Sequence, residues 1–361
     1  RDTRGIMVSP TGSGKSMIIY LWMRYLFSKG MKGLIIVPNT SLVEQLYADF
    51  LEYGFTDVDK TCDRMYSGST IHGLPILITT WQSIFDMPKE FFKDFDFVIG
   101  DEAHQYKAKS LMGIMEALTN AKYRFGTTGT LDGTKVHKLV LEGLFGPVSE
   151  AVSTFDLQKQ SILSPIEVRC IILKHKEEIR KQLKGCDYQT EIKYLTECKE
   201  RTNTIAVMAG GTTGNTLVLF NFIQHGTDII SALMQMGLKS KNLFFVSGAT
   251  SVQEREDIRK YCEHHNDAIV VASYGTFSTG INIKNLHNII FASPSKSRIR
   301  VMQSIGRGLR TAHNKTSMKL FDIADDLSYS KKLNYTLRHF MLRLEMYAIE
   351  RFPFKKYEVT L

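Results

Sequence analysis

The chain has 361 residues, 43% of them hydrophobic, enough to bury two cores of ordinary size. No stretch approaches the roughly 20 uninterrupted apolar residues that cross a bilayer, and no basic segment followed by an apolar run opens the chain, so a soluble, cytoplasmic protein that is not secreted is expected. Lys and Arg outnumber Asp and Glu by 46 to 37, a net charge of +9 that points to an anionic partner larger than a nucleotide, nucleic acid first.

The first element reads as a short strand, "RGIMV", running into "VSPTGSGKS" at residues 8 to 16. The loop over Pro10, Thr11, Gly12, Ser13 and Gly14, with the amides that follow Pro10, suits a phosphate cradle, Lys15 offers a point charge to outer phosphates, and Ser16 a hydroxyl to magnesium. The strict phosphate-loop pattern wants Gly at position 9, where this chain has Ser9. "KSMIIYLWMRYLFSKG" then reads as a helix stopped by Gly30. "GLIIVP" is a buried strand, followed by a helix over "TSLVEQLYADFLEYG" with a capping box of Ser41 and Glu44 and Gly54 as the stop. Pro38, Asn39 and Thr40, at that strand end and helix start, fit either a grip on a nucleic-acid phosphate or an ordinary capped helix. "PILITT" is another strand; Thr79 and Thr80 at its end offer hydroxyls, and Trp81 either a base platform or a core ring.

"FDFVIGDEAHQ" places Asp101 and Glu102 directly after a buried strand, at the same sheet edge as the phosphate loop 86 residues upstream. Two adjacent acids match two separate tasks: Asp101 holds magnesium through water, and Glu102 orients or deprotonates the attacking water. "YRFGTTGT" closes the first half as a strand ending in a Gly/Thr loop. Residues 156–200, with the charged run "KHKEEIRKQLKGCDYQTE", read as connector and entry helices. "TLVLF", "NLFFVSG", "AIVVAS", "NIIFAS" and "MKLFDIAD" repeat the strand rhythm from residue 201 to 328. From Ser293 to Leu320 there are seven Lys/Arg and no Asp or Glu, which asks for an anionic neighbour. Arg307 and Arg310, three apart on a helix, would share one face and reach a γ-phosphate. Gln303, Gly306 and Gly308 argue against a merely solvated basic helix. Residues 329–361 read as a basic amphipathic C-terminal helix. The cysteines, Cys62, Cys170, Cys186, Cys198 and Cys262, are odd in number and lack zinc spacing, which argues against disulfides and a structural metal.

"SPTGSGKS", "IIVPNTSLVEQ", "ITTWQS", "DEAH", "GTTGT", "TLVLF", "ASYGTFSTGIN" and "QSIGRGLR" stand in the order and spacing of helicase motifs I to VI, from residue 9 to 310. The chain resembles the superfamily 2 helicases and, in the wording of "LDGTKVHKLVLEGLFGP" and the segment around "STGIN", the recombination helicases of T-even-like phages. The resemblance implies an α/β fold of two tandem RecA-like doubly wound parallel-sheet domains with a cleft between them and a helical C-terminal extension, the ATP-binding domain at 1–155. It implies ATP and Mg2+ as cofactors, a catalytic set of Lys15, Asp101, Glu102, Gln303, Arg307 and Arg310, and a coupling role for His104. It also implies nucleotide contacts at Gly280 and Asn282 and a strand contact at Thr279. The partner implied is DNA, branched or duplex with single-stranded regions, or a DNA–RNA hybrid, bound by a monomer in the cytoplasm of an infected host. Only 14 residues precede Lys15, so the family's upstream adenine-reading element is not in this sequence. The activity expected is ATP-dependent remodelling of branched recombination and replication intermediates. A motor subunit of a restriction complex and an ATP-gated binding or annealing protein are the alternatives.

Overall fold

The computed structural model describes residues 3–66, 71–131, 134–238, 240–280, 283–312, 315–330 and 332–361. Its contacts divide the chain into two compact units, Arg1–Ser153 and Thr154–Leu361. Among the described residues each unit is built on one seven-stranded sheet. Every strand pairing in them is parallel. Parallel strands need crossover helices on both faces, which is why their sequences are near-continuous apolar runs.

In the first unit the strands are β1 (Arg4–Val8), β2 (Gly33–Val37), β3 (Cys62–Met65), β4 (Ile76–Thr80), β5 (Phe97–Gly100), β6 (Tyr123–Thr128) and β7 (Val148–Glu150), in the order β3-β4-β2-β5-β6-β1-β7. All residues of β2, β4 and β5 are buried. One core lies on each face, the first around Phe92, Val98 and Phe145 and the second around Met23, Phe50 and Ile99. Helix α1 (Lys15–Phe27) follows β1 and helix α2 (Thr40–Glu52) follows β2. Asn39 caps α2 by accepting from the Leu42 amide, so the expected Ser41–Glu44 box is not what starts this helix. An Asn one residue before the first helical position reaches that amide first. Gly54, at φ 87°, ends the turn after α2 as expected.

The second unit contains β8 (Ile166–Lys174), β9 (Thr216–Phe220), β10 (Asn242–Val246), β11 (Ala268–Ser273), β12 (Asn288–Phe291), β13 (Met318–Asp326) and β14 (Phe354–Thr360), in the order β10-β11-β9-β12-β13-β8-β14. The helices used below are α3 (Tyr274–Gly280), α4 (Arg298–Gly308) and α5 (Tyr335–Ile349). Residues 156–200 differ from a simple connector, because β8 lies inside that span and pairs with β13 over nine residues. Residues 329–361 are likewise more than a helix, since β14 leaves α5 and pairs with β8. Helix α5 buries Leu337, Phe340, Met346 and Tyr347, and its buried Arg343 pairs with Asp322 of β13 at 2.7 Å.

Candidate functional site

Strands β5, β6 and β1 are neighbours, so the segments leaving their C-terminal ends meet. After β1 the chain turns through Pro10, Thr11, Gly12, Ser13 and Gly14 into α1. Gly12 and Gly14 have φ of 88° and 85°, a left-handed backbone that suits glycine. The departure at Ser9 has a structural use. Its side chain is buried and its hydroxyl donates to the Ser13 hydroxyl at 2.6 Å, bracing the loop from beneath. The Lys15 ammonium donates to the carbonyls of Ser9 at 3.1 Å and Pro10 at 3.2 Å. Ser16, one residue on, shares a hydrogen bond of 2.8 Å with the Tyr53 hydroxyl.

Asp101 follows β5, and its amide donates to the Ile36 carbonyl of β2 at 2.9 Å. Its carboxylate accepts from the Thr127 hydroxyl of β6 at 2.7 Å. Desolvation of the carboxyl and the Glu102 carboxylate beside it push Asp101 up to about 6, against the opposing pull of Thr127 and Lys15. Glu102 has φ 48°, an unusual backbone for a residue with a Cβ, at a strain of about 1 kcal/mol or more. Its carboxylate lies 3.2 Å from the His104 Nδ1, and the same ring nitrogen lies 3.0 Å from the Thr128 hydroxyl. The Ser9 amide donates to the Thr128 carbonyl at 2.9 Å, which ties the phosphate loop to β6. A Cβ built on Gly129 would lie 3.4 Å from the Thr11 hydroxyl and 3.6 Å from the Lys15 ammonium, so the Gly/Thr loop flanks the phosphate cradle. Lys15, Asp101, Glu102, His104, Thr127 and Thr128 therefore come from three chain segments and converge on one sheet edge.

The residues expected to grip a strand divide. Pro38, Asn39 and Thr40 sit at the β2 end and α2 start, with Thr40 exposed. Thr79 is fully buried, and its hydroxyl donates to the Met65 carbonyl at 2.8 Å. Thr80, also buried, shares its hydroxyl with Ser83 at 2.9 Å. Those two hydroxyls serve the packing of β4 and the turn after it, which corrects the expectation that they face a nucleic acid. Trp81 packs against the core and meets the Phe85 ring edge-on, as its core reading had it.

In the second unit Thr279 and Gly280 close α3, and Asn282 lies outside the described residues. Gln303 and Arg307 lie on α4, whereas Arg310 stands two residues past its end at Gly308 and bridges to Leu163. Arg307 and Arg310 therefore do not share one helix face as expected, because α4 stops before Arg310. Arg307 rests 5.5 Å over the Phe277 ring of α3. The basic run around α4 partly pairs within the unit: Arg298 pairs with Glu350 at 3.4 Å, the exposed Arg300 donates to Asn221 at 3.2 Å, and Lys315 is buried on backbone carbonyls. The five cysteines are free thiols. Among the described residues no helix is long and apolar enough to cross a membrane, and no group of three or more His, Cys, Asp or Glu could hold a metal.

Residues 1–133 match the family described as the res subunit of type III restriction enzymes, and residues 200–312 match the helicase conserved C-terminal domain. Over its whole length the chain is 32% identical to the ATP-dependent DNA helicase uvsW of Enterobacteria phage T4, of which it covers 75%. The chain belongs to the superfamily 2 helicases. Within them it is an ATP-dependent DNA helicase of the uvsW kind, and so an ATP hydrolase. The helicase also shares its fold with a DNA-bound type ISP restriction-modification enzyme, LlaBIII, at 18% identity and a TM-score of 0.71, covering 99% of this chain and 30% of that one. A restriction HsdR fragment from Vibrio vulnificus YJ016 gives 18% identity and a TM-score of 0.69, covering 99% of this chain and 65% of that one. Both sheets of the helicase are the RecA-like pair that the motif order implies.

Several contacts of the helicase had no signal in the sequence. The Ser16–Tyr53 bond joins α1 to the residue just after α2, 37 positions away, and the Arg307–Phe277 contact joins two helices that no periodicity relates. The Thr127–Asp101 bond follows from the adjacency of β5 and β6, which strand content alone does not specify.

Proposed function

We propose that this helicase uses Mg2+-ATP to remodel branched recombination and replication intermediates: four-way junctions, displacement loops and RNA-containing R-loops. The observation that carries the reading is the convergence of Lys15, Asp101, Glu102 and His104 at one sheet edge beside the left-handed loop of Gly12 and Gly14. Amides of residues 11–14 and the Lys15 ammonium hold the triphosphate, with Pro10 setting the turn into the loop. One hydroxyl and one carboxylate, Ser16 and Asp101, fit magnesium, which favours a few oxygen donors and fills its other positions with water and phosphate oxygens. When bound, the ion neutralises charge on the outer phosphates. Glu102, kept close by His104, orients the attacking water.

Arg307, Arg310 and Gln303 complete the site from the second unit, with Gly280 and Asn282 on the nucleotide. ATP then favours one arrangement of the units through contacts that ADP lacks, and hydrolysis releases it. Pro38, Asn39 and Thr40 in one unit and Thr279 in the other hold phosphates of the strand, a contact that carries no base information and suits a motor. Displacement assays on a linear duplex, a fork, a four-way junction, a displacement loop and a DNA–RNA hybrid, at one fixed salt concentration, test this. ATP-dependent displacement on the branched substrates, lost in Lys15→Ala, is the expected result. DNA-stimulated hydrolysis with no displacement on any substrate would instead favour an ATP-gated binder.

A further inference from the structure

Roughly a third to a half of helices close on a left-handed residue, usually glycine, with backbone amides satisfying some of the last carbonyls; helix α4 closes differently. After Gly308 the chain stays right-handed at Leu309, φ −80°, and passes straight into Arg310. The carbonyls left open are taken by other groups. The Lys315 ammonium donates to the carbonyl of Gly308 and, at 2.8 Å, to that of Arg310. The Ser164 amide donates to the Leu309 carbonyl at 2.7 Å, and the Ser164 hydroxyl reaches the Arg310 carbonyl at 3.4 Å. Three consecutive carbonyls, from Gly308 to Arg310, are thus held from both sides. The helix end also has a floor, since a Cβ on Gly308 would fall 2.6 Å from the Ile289 side chain of β12.

A cap of this kind is costly. Lys315 is 8% exposed, and burial pulls its ammonium down to about 7. A glycine turn would close the helix without burying a charge. What the lysine adds is a fixed path for the backbone that carries Arg310 and the turn that carries Arg307.

We propose that Lys315 is a positioning residue for hydrolysis: it clamps the carbonyls of Gly308 and Arg310 and so sets where Arg307 and Arg310 present their guanidinium groups. This rests on the reading that Arg310 serves the ATP site. A displacement of about 1 Å in a group that stabilises a transition state is enough for a loss of about a hundredfold, so removal of the clamp has a kinetic signature that loss of helix stability alone lacks.

The test is a double-mutant cycle of Lys315→Met and Arg310→Ala, read by single-turnover ATP hydrolysis at saturating DNA, with nucleotide affinity and thermal melting in parallel. Lys315→Met is expected to lower the hydrolysis rate by about tenfold to a hundredfold with nucleotide affinity within about twofold, Lys315→Arg to recover part of the rate, and Lys315→Met to add less than about twofold in the Arg310→Ala background. A folded Lys315→Met with the wild-type rate, or a loss that multiplies in full with that of Arg310→Ala, overturns the proposal and leaves the arginine reading standing. A wild-type rate in Arg310→Ala overturns the arginine reading, and the proposal with it. Should Lys315→Met not fold, Ser164→Ala carries the same cycle: a rate loss that is absent in the Arg310→Ala background is expected, and full additivity overturns the proposal.

Discussion

Asp101 shows how one side chain is tuned by strands far apart in sequence. Its ionised form is disfavoured by desolvation and by Glu102, and favoured by the Thr127 hydroxyl and Lys15. Because its folded value of about 6 lies above the unfolded value of 3.8, the fold takes up a proton more readily than the unfolded chain. The ionised carboxylate therefore costs stability above about pH 6, and that cost fades as the pH falls through the window to 3.8. On the proposed role of Asp101 in holding magnesium, which needs the ionised carboxylate, hydrolysis should fall as pH drops through about 6. Thr127→Val removes a donor to the ionised form, so the acid limb of kcat/KM for ATP should move to higher pH. Superimposable limbs for the variant and wild type would show that the hydroxyl does not set this group. The acids were legible in the sequence because they follow the buried apolar strand β5, and Lys15 because it stands between a Gly/Ser loop and Ser16. Ser9 was legible only as a departure, since its bond to Ser13 depends on the path of the loop.

Elements were legible where their burial is two-sided. β2, β4, β5, β9 and β11 are continuous apolar runs, and each is a central or near-central strand. β8 and β14 were not legible, for a physical reason. "IEVRCIILK" alternates buried and half-buried positions, and "FKKYEVT" is almost wholly exposed on the last strand of the sheet, so neither shows the signature of a buried parallel strand. The start of α5 was hidden too, because its cap comes from a distant residue. Glu191, 1% exposed, accepts from the amides of Tyr335 at 2.9 Å and Thr336 at 2.7 Å and from the Asn334 side chain at 2.8 Å. Glu191→Ala takes the acceptor from the Tyr335 amide and the buried Thr336 amide, while the Asn334 side chain keeps the Asp325 carbonyl, and should destabilise the second unit by about 1–3 kcal/mol, read as a lower urea midpoint at unchanged slope. A midpoint equal to wild type would mean that water replaces the carboxylate at no cost.

At the scale of the whole molecule, the order of the motifs is what the sequence carries most clearly. The first unit supplies Lys15, Ser16, Asp101 and Glu102, and the second supplies Arg307 and Arg310. We propose that these two sets act on one ATP, so that a side chain of the second unit governs chemistry whose other groups all lie in the first. Single-turnover hydrolysis by Arg310→Ala at saturating DNA tests this most directly. The rate should fall by about 10³-fold, the scale of an arginine that stabilises a phosphoryl-transfer transition state, while nucleotide affinity changes only a few-fold. Hydrolysis at the wild-type rate would contradict it and leave the second unit's arginines outside the reaction.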